Sequence, residues 1–237
     1  MSAAVSTLSS STPSAPGWLH RALRHRSFVI GAVLSALLIL AALLSFVWTP
    51  WSPYEMDLAN KLATPSGTHW LGTDAFGRDV ASLLLVGARN SILVGVIAVG
   101  IGLTIGTALG LLAAAKRGWV EELIMRLADF TFAFPAILSA IMMTAVFGAG
   151  IVNSIIAIGI FNIPTFARVT RASANAVWSR EYILASRACG KGSWRITLEH
   201  VLPNILSVLI VQATIQFAIA ILAEAALSYL GLGTQPP

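Results

Sequence analysis

Apolar residues in this chain come in long unbroken runs, not in alternation and not in heptads. Four runs, 28–48, 90–115, 130–167 and 201–223, contain no Asp, Glu, Lys or Arg. A membrane-spanning helix needs about 20 apolar residues, so the first, second and fourth runs each predict one span. The third is too long for one helix, and Phe147-Gly148-Ala149-Gly150 is a turn signal that divides it. Its first half borrows a turn before Phe130, and its second half starts at about Ile151. The pattern predicts an all-α polytopic membrane protein, a helical bundle with five spans.

The polar stretches set the organisation around these spans. Residues 1–27 are rich in Ser, Ala and Pro and then basic, which predicts a disordered cytoplasmic tail. The run 28–48 is too long for the apolar part of a signal peptide and ends in "SFVWTPW" rather than in small residues, so it reads as an uncleaved first transmembrane helix. Residues 49–89 predict an extracytoplasmic segment. It opens with "TPWSPYE", which cannot be regular helix, and Trp48 and Trp51 suit a membrane interface. Within it, Leu71, Gly72, Thr73, Asp74, Gly77, Arg78 and Asp79 form a turn-rich motif, with Asp79 placed to cap the helix that follows. Residues 90–237 predict the core of the bundle, interrupted by a polar cytoplasmic loop at 172–200.

Composition agrees with this picture. Charged residues make up 11% of the chain, against about 25% in soluble domains. The formal charge of +5 could suggest nucleic acid, but its distribution says otherwise. With the N-terminus in the cytoplasm, twelve of the 15 bases fall on cytoplasmic segments, and only Lys61, Arg78 and Arg89 fall outside. That is the positive-inside bias, which orients membrane proteins. Nucleic acid is not an expected partner; the lipid bilayer is.

Several positions stand out inside the spans. Gly102, Gly106 and Gly110 recur every four residues, a spacing that lets two helices pack backbone to backbone in lipid. Pro135 and Pro164 lie inside predicted spans, where they kink or interrupt helices. Gln212, Gln216 and Glu224 form one stripe on the last span, which either lines a pathway or bonds helices together. Asn153 and Asn162 are less informative. At the start of the third span, Arg126 and Asp129 are spaced for an ion pair within one helix, and Glu121-Glu122 reads as solvated charge at a helix start.

Known catalytic patterns do not fit. "GKGS" at Gly190–Ser193 fails as a phosphate loop, because Lys191 is followed by Gly192 and the earlier glycine position holds Ala185. His20, His25, His69 and His200 are not in metal-ligand spacing, and G-x-S-x-G is absent. Cys189 is the sole cysteine, so no intrachain disulfide forms.

The insert between the last two spans is "EYILASRACGKGSWRITLEHVLPNI", Glu181 to Ile205. Trp178 to Cys189 can form a helix that Gly190 ends, with a smooth patch at Ala185 and Ser186. A further turn starts at Ser193. A loop that merely returned the chain could be far shorter, so the insert suits docking into another protein's cleft.

These residues resemble the cytoplasmic signature of the permease subunits of binding-protein-dependent ABC importers, E-A-A-x3-G-x9-I-x-L-P. Here it is met by Leu184, Ala185, Ser186, Gly190, His200, Leu202 and Pro203 at matching spacing. "LGTDAFGRD" at 71–79, "MRLADFTFAFP" at 125–135 and "ILAEAALSYLGLGTQPP" at 221–237 resemble the C-type subunit of the dipeptide/oligopeptide/nickel branch. The resemblance covers about residues 25–237 and implies a subunit of a bacterial or archaeal inner membrane importer. A second homologous permease subunit would complete the pore. Two ATPase subunits, carrying ATP and Mg, would dock on the loop at 181–203, and an extracytoplasmic solute-binding protein would deliver the solute. The chain itself would bind no cofactor and catalyse no reaction. Leu184 stands where the signature has its acid, and Glu181, one turn earlier, is the substitute. Family members continue past "LGLGTQPP" to a further span, so five spans are expected with the family's last one missing. Two other readings stay open. An ion-coupled carrier needs a membrane-embedded acid, for which Glu224 comes nearest, and a membrane scaffold or enzyme needs a catalytic constellation. The solute stays open among dipeptide, oligopeptide, nickel chelate and glutathione.

Overall fold

The computed structural model describes residues 23–233, so most of the predicted tail (1–22) and residues 234–237 lie outside the described residues. The helices are α1 (Arg26–Val47), α2 (Val80–Lys116), α3 (Gly118–Phe132), α4 (Ala136–Phe147), α5 (Ile151–Trp178), α6 (Glu181–Ala188), α7 (Ser193–Ile196) and α8 (Leu202–Tyr229). A 3₁₀ turn occupies Leu58–Asn60, and a π-turn at Thr197–Val201 joins α7 to α8. Among the described residues there is no strand, only a single bridge between Thr73 and Asp79.

Four passages are long and apolar enough to cross a membrane: α1, α2, α5 and the continuous run Ser193–Tyr229. The third predicted span is not one helix. Its two pieces, α3 and α4, are bent by 82°. Pro135 has no N–H to continue the ladder of α3, and it pushes Phe134 out of the helical region. The chain therefore stops at Phe132 and restarts after Pro135. Five passages exist only if this broken pair counts as one. Pro164, in contrast, sits inside the unbroken α5.

The second span is longer than the charge-free run. Asp79 accepts a hydrogen bond from the Ser82 N–H and caps α2, so the helix begins at Val80. Its 37 residues extend about 55 Å, well beyond the roughly 30 Å hydrocarbon core.

The centre of the bundle is the packing of α2 on α5. Lipid tails are as apolar as leucine, so helices in a membrane hold together by close packing. Gly102, Gly106 and Gly110 are buried and face α5. A Cβ on Gly106 would lie 2.5 Å from the Ile163 carbonyl oxygen and 2.6 Å from Phe166 Cβ. A Cβ on Gly110 would lie 2.6 Å from the Ala167 carbonyl oxygen, and one on Gly102 would strike Asn162. Phe166, Ala157 and Ala98 are fully buried around this seam. In α1 only Ala42 and Ser45 are buried, so that helix lies at the edge of the bundle, against α2.

Charged side chains tie α3 to α5. Arg171 Nε donates to Glu121 Oε1 at 2.5 Å, Arg168 pairs with Asp129, and the Arg168 guanidinium lies 4.4 Å from the centre of the Phe132 ring. The expected pair within α3 does not form. Arg126 binds Glu122, one turn before it, and Asp129 faces α5. Glu121 is likewise an interhelical contact and not simply solvated charge.

At the other end of α5, the turn Gly148–Gly150 is closed by Asn153, whose Nδ2 donates to the carbonyls of Phe147 and Gly148 at 3.0 and 2.8 Å. The Leu232 carbonyl accepts from the Gly150 N–H at 3.2 Å, which brings the end of α8 against this turn.

Candidate functional site

Three places gather the residues singled out from the sequence. The first is the polar insert. Its helix α6 is shorter than expected, because Ser179 and Arg180 separate it from α5. Ile183 is fully buried and pins α6 to the bundle beside Trp178, Ile196 and Val201, all in the same core cluster. The same helix exposes Glu181, Tyr182, Leu184 and Ala185 to solvent. Gly190 adopts φ +80°, the left-handed conformation that favours glycine. Its N–H donates to Arg187 O at 2.9 Å, and the Lys191 N–H donates to Ser186 O at 3.2 Å. This pair of bonds is a Schellman motif, which satisfies the last carbonyls of α6 and turns the chain back.

The return segment of the insert is braced within itself through Glu199 and is held to α6 through His200. Lys191 Nζ donates to Glu199 Oε2 at 2.6 Å, and Arg195 Nε donates to Glu199 Oε1 at 2.5 Å. His200 Nε2 lies 3.4 Å from Ser186 Oγ, and the Tyr182 ring meets the His200 ring edge-on at 6.2 Å. The π-turn that holds His200 has a local cause. In a regular helix the Pro203 ring would strike the carbonyl of Glu199. The backbone widens instead, so that the Leu202 N–H reaches Thr197 O, and Asn204 Nδ2 bonds the His200 carbonyl at 2.7 Å. Leu202 and Pro203 thus begin α8 directly from the insert.

The second place is the segment that precedes α2. Asp79 is 2% exposed and accepts from the Ser82 N–H and hydroxyl, both at 2.8 Å, and it lies 3.0 Å from His69 Nδ1. The Ser82 hydroxyl accepts from the Trp51 N–H at 3.0 Å, and the Trp51 and His69 rings lie 5.1 Å apart. Thr73 bonds Asn60 and Ala63, Asp74 pairs with Arg78, and Gly72 and Gly77 take left-handed turns, while Leu71 is exposed. The motif is thus a clasp that folds 49–79 onto the start of α2. Burial opposes ionisation of Asp79, but the hydrogen bonds from Ser82 and His69 outweigh it and hold the carboxyl below the usual carboxylate range. Its contribution is therefore complete above about pH 4 and fades as pH falls through the lowered value. Asp79→Ala should cost about 1–3 kcal/mol, from a lost cap and stranded donors. A thermal melt in detergent should show the same deficit from pH 5 to 8, and an unchanged melt would sink this assignment.

The third place is a cavity of about 420 Å³ between α4, α5 and α8. Of the polar stripe on α8, Gln216 lines it and is buried. Glu224 instead turns toward α2, accepting from Ser228 Oγ at 2.7 Å and from Ser91 Oγ at 3.5 Å. Gln212, one turn before Gln216, is half-buried. Asn162 lines the cavity from α5. Sequence reasoning passed it over, because one asparagine in an apolar helix has no pattern. Among the described residues no group of three metal-ligating side chains forms.

A family model described as "Binding-protein-dependent transport system inner membrane component" matches residues 106–237. The chain belongs to this permease family. A second model, "N-terminal TM domain of oligopeptide transport permease C", matches residues 18–65. This permease is 42% identical over 214 residues to the dipeptide transport system permease protein DppC of Alkalihalophilus pseudofirmus, covering 90% of this chain and 70% of that protein. It is 39% identical over 211 residues to the glutathione transport system permease protein GsiD of Pectobacterium atrosepticum, covering 87% and 70%. The solved MetNI methionine ABC transporter, in inward-facing conformation, shares the fold at a TM-score of 0.57 and 20% identity, over 62% of this chain and 74% of that one. The permease is thus a multi-pass membrane component of an ABC importer, working with a separate ATPase and a binding protein, and it is not itself the enzyme.

Proposed function

We propose that this chain is one of two homologous permease subunits of an importer for peptides or related small solutes. Its N-terminus lies in the cytoplasm, and ATP and Mg act on two partner ATPase subunits. The observation that carries the reading is the build of α6. A buried Ile183 anchors it while Glu181, Tyr182, Leu184 and Ala185 project, so a push on the exposed face reaches the bundle through Ile183 and through the contacts of α6 with His200. Ser186, Gly190, His200, Leu202 and Pro203 make up the rest of the coupling element. Gly190 ends α6 in a tight turn, and the run through His200, Leu202 and Pro203 passes into α8 without a further loop. The peptide-class solute rests on the names of the relatives, one of which carries dipeptides and another glutathione. Gln216 supports a pathway beside α8, with Gln212 near it, whereas the contacts of Glu224 fit a brace between α8 and α2. The basic residues on α3, α5 and α6 support the orientation.

The test is uptake by proteoliposomes that hold this chain, its partner permease subunit and ATPases, with binding protein supplied. Uptake should require ATP on the ATPase side and persist when ionophores collapse ion gradients. Uptake that stops with the gradients while ATP remains would replace this reading with that of an ion-coupled carrier.

A further inference from the structure

Among the described residues, the lining of the cavity between α4, α5 and α8 has two primary amides and no charged side chain. Asn162 and Gln216 are each 6% exposed, and they face it from different helices. Thr165 adds a hydroxyl, and the rest of the wall is apolar, with Phe132, Phe161 and Leu222 among its members. The Nδ2 of Asn162 has no hydrogen-bond partner among the described residues. An amide donor left unpaired in an apolar setting is costly, and most such groups in folded proteins have found a partner. Gly102 gives Asn162 the room to sit at this depth, since any Cβ there would strike it.

We infer that this cavity is a solute-contact site on the translocation pathway, and that Asn162 and Gln216 together read one peptide bond of the passing solute. The inference rests on the proposed pathway beside α8 and names the chemistry of that site. A primary amide carries both donors and an acceptor, which is the complement a peptide unit needs. Two amides on facing helices can take its C=O and its N–H at once. The Asn162 Nδ2 is itself buried, and turning the amide about its last bond would bring this orphaned donor to an incoming carbonyl. An acyl chain satisfies neither amide, and this sets a peptide apart from lipid as the occupant. The absence of charge on the lining fits transit. A site that held the terminal charges of a peptide by ion pairing would retain it, whereas conduction needs contact weak enough to release. It also leaves side chains unread, so solutes that differ in side chain but share a backbone amide pass alike. The volume of about 420 Å³ lies within the roughly 300–1,000 Å³ of small-molecule sites.

The experiment compares dialanine with its ester analogue, in which oxygen replaces the peptide N–H, in the reconstituted importer at saturating loaded binding protein. Binding-protein affinity for each solute is measured separately. Wild type should carry dialanine about five- to tenfold faster than the ester, the effect of one hydrogen bond. Asn162→Leu and Gln216→Leu should each bring the dialanine rate down to the ester rate while binding protein still stimulates the ATPase. A peptide-over-ester ratio that persists in both variants overturns the inference. If Asn162→Leu does not assemble, the Gln216→Leu result decides. Ala223→Trp, which fills the cavity, separates this inference from the reading beneath it. It should block both solutes. If it blocks neither, the cavity is off the pathway and the pathway reading falls. If it prevents assembly with the partner subunit, a partner helix occupies the cavity and the inference is overturned. No dialanine uptake by wild type at all would remove the peptide reading.

Discussion

Gly106→Leu should prevent α2 and α5 from docking, with a loss of about 3 kcal/mol or more. The reason is geometric. Even one added carbon lies 2.5 Å from the Ile163 carbonyl oxygen, a backbone atom that cannot step aside. The only relief is to separate the two helices, and that strips contact from Phe166 and from the seam above and below it. In membranes this cannot be offset by burying apolar surface, because lipid provides the same surroundings. Gly106→Ala makes a sharper test. Alanine is the better helix former by about 1 kcal/mol, so a destabilised Gly106→Ala can only reflect the clash. Gly100 has open space around it, and Gly100→Ala should be neutral or stabilising. Thermal melting and size-exclusion profiles in detergent read both. Equal melting of the Gly106 and Gly100 variants would refute the close-packed seam.

Gly190→Val should uncouple ATP hydrolysis from transport in the assembled importer while leaving the subunit folded. Nothing lies within 4 Å of a Cβ at this position, so the effect is confined to the backbone. At φ +80° a β-branched residue is a genuine outlier, and the left-handed conformation costs an L-residue about 1–2 kcal/mol. The Schellman pair to Arg187 and Ser186 would open, and the contact of Lys191 with Glu199 and those of His200 with α6 would loosen with it. Stimulation of the ATPase by loaded binding protein should drop about 5–30-fold, the equivalent of that energy. Asn tolerates this conformation, so Gly190→Asn should restore most of the stimulation. Val and Asn variants that behave alike would show that the turn has no part in coupling.

Much of the architecture was legible in order along the chain. Uncharged runs set the spans, Gly148 and Gly150 divided the third run, Asp79 marked the start of α2, and Gly190 marked the end of α6. Each is a local signal, in which one residue's conformational or capping preference acts on its neighbours. Apart from the break at Ser179–Arg180, which shortens α6, the misjudged features were mostly relations between segments. Arg126 and Asp129 had suitable spacing, yet Arg168 and Arg171 on α5 decided where the acids of α3 point. Pro135 announced a break, but an 82° bend needs the packing of α4 beside α5 to define it. Asn162 carried no signal, because its place against Gly102 and on a cavity shared with Gln216 is set by other helices.

The sequence by itself determined a polytopic helical membrane protein, its spans, the small-residue seam on α2 and the signature-bearing insert, because hydropathy, glycine spacing and turn chemistry act over one helix length. Tertiary structure decided which glycines meet which carbonyls, that Glu224 turns toward Ser91 of α2 while Gln216 lines a cavity, and that Asn162 lines the same cavity with its Nδ2 unpaired among the described residues. Those outcomes depend on how whole helices rotate and cross. In lipid that is set by steric fit between surfaces distant in sequence, and no stretch of chain encodes it alone.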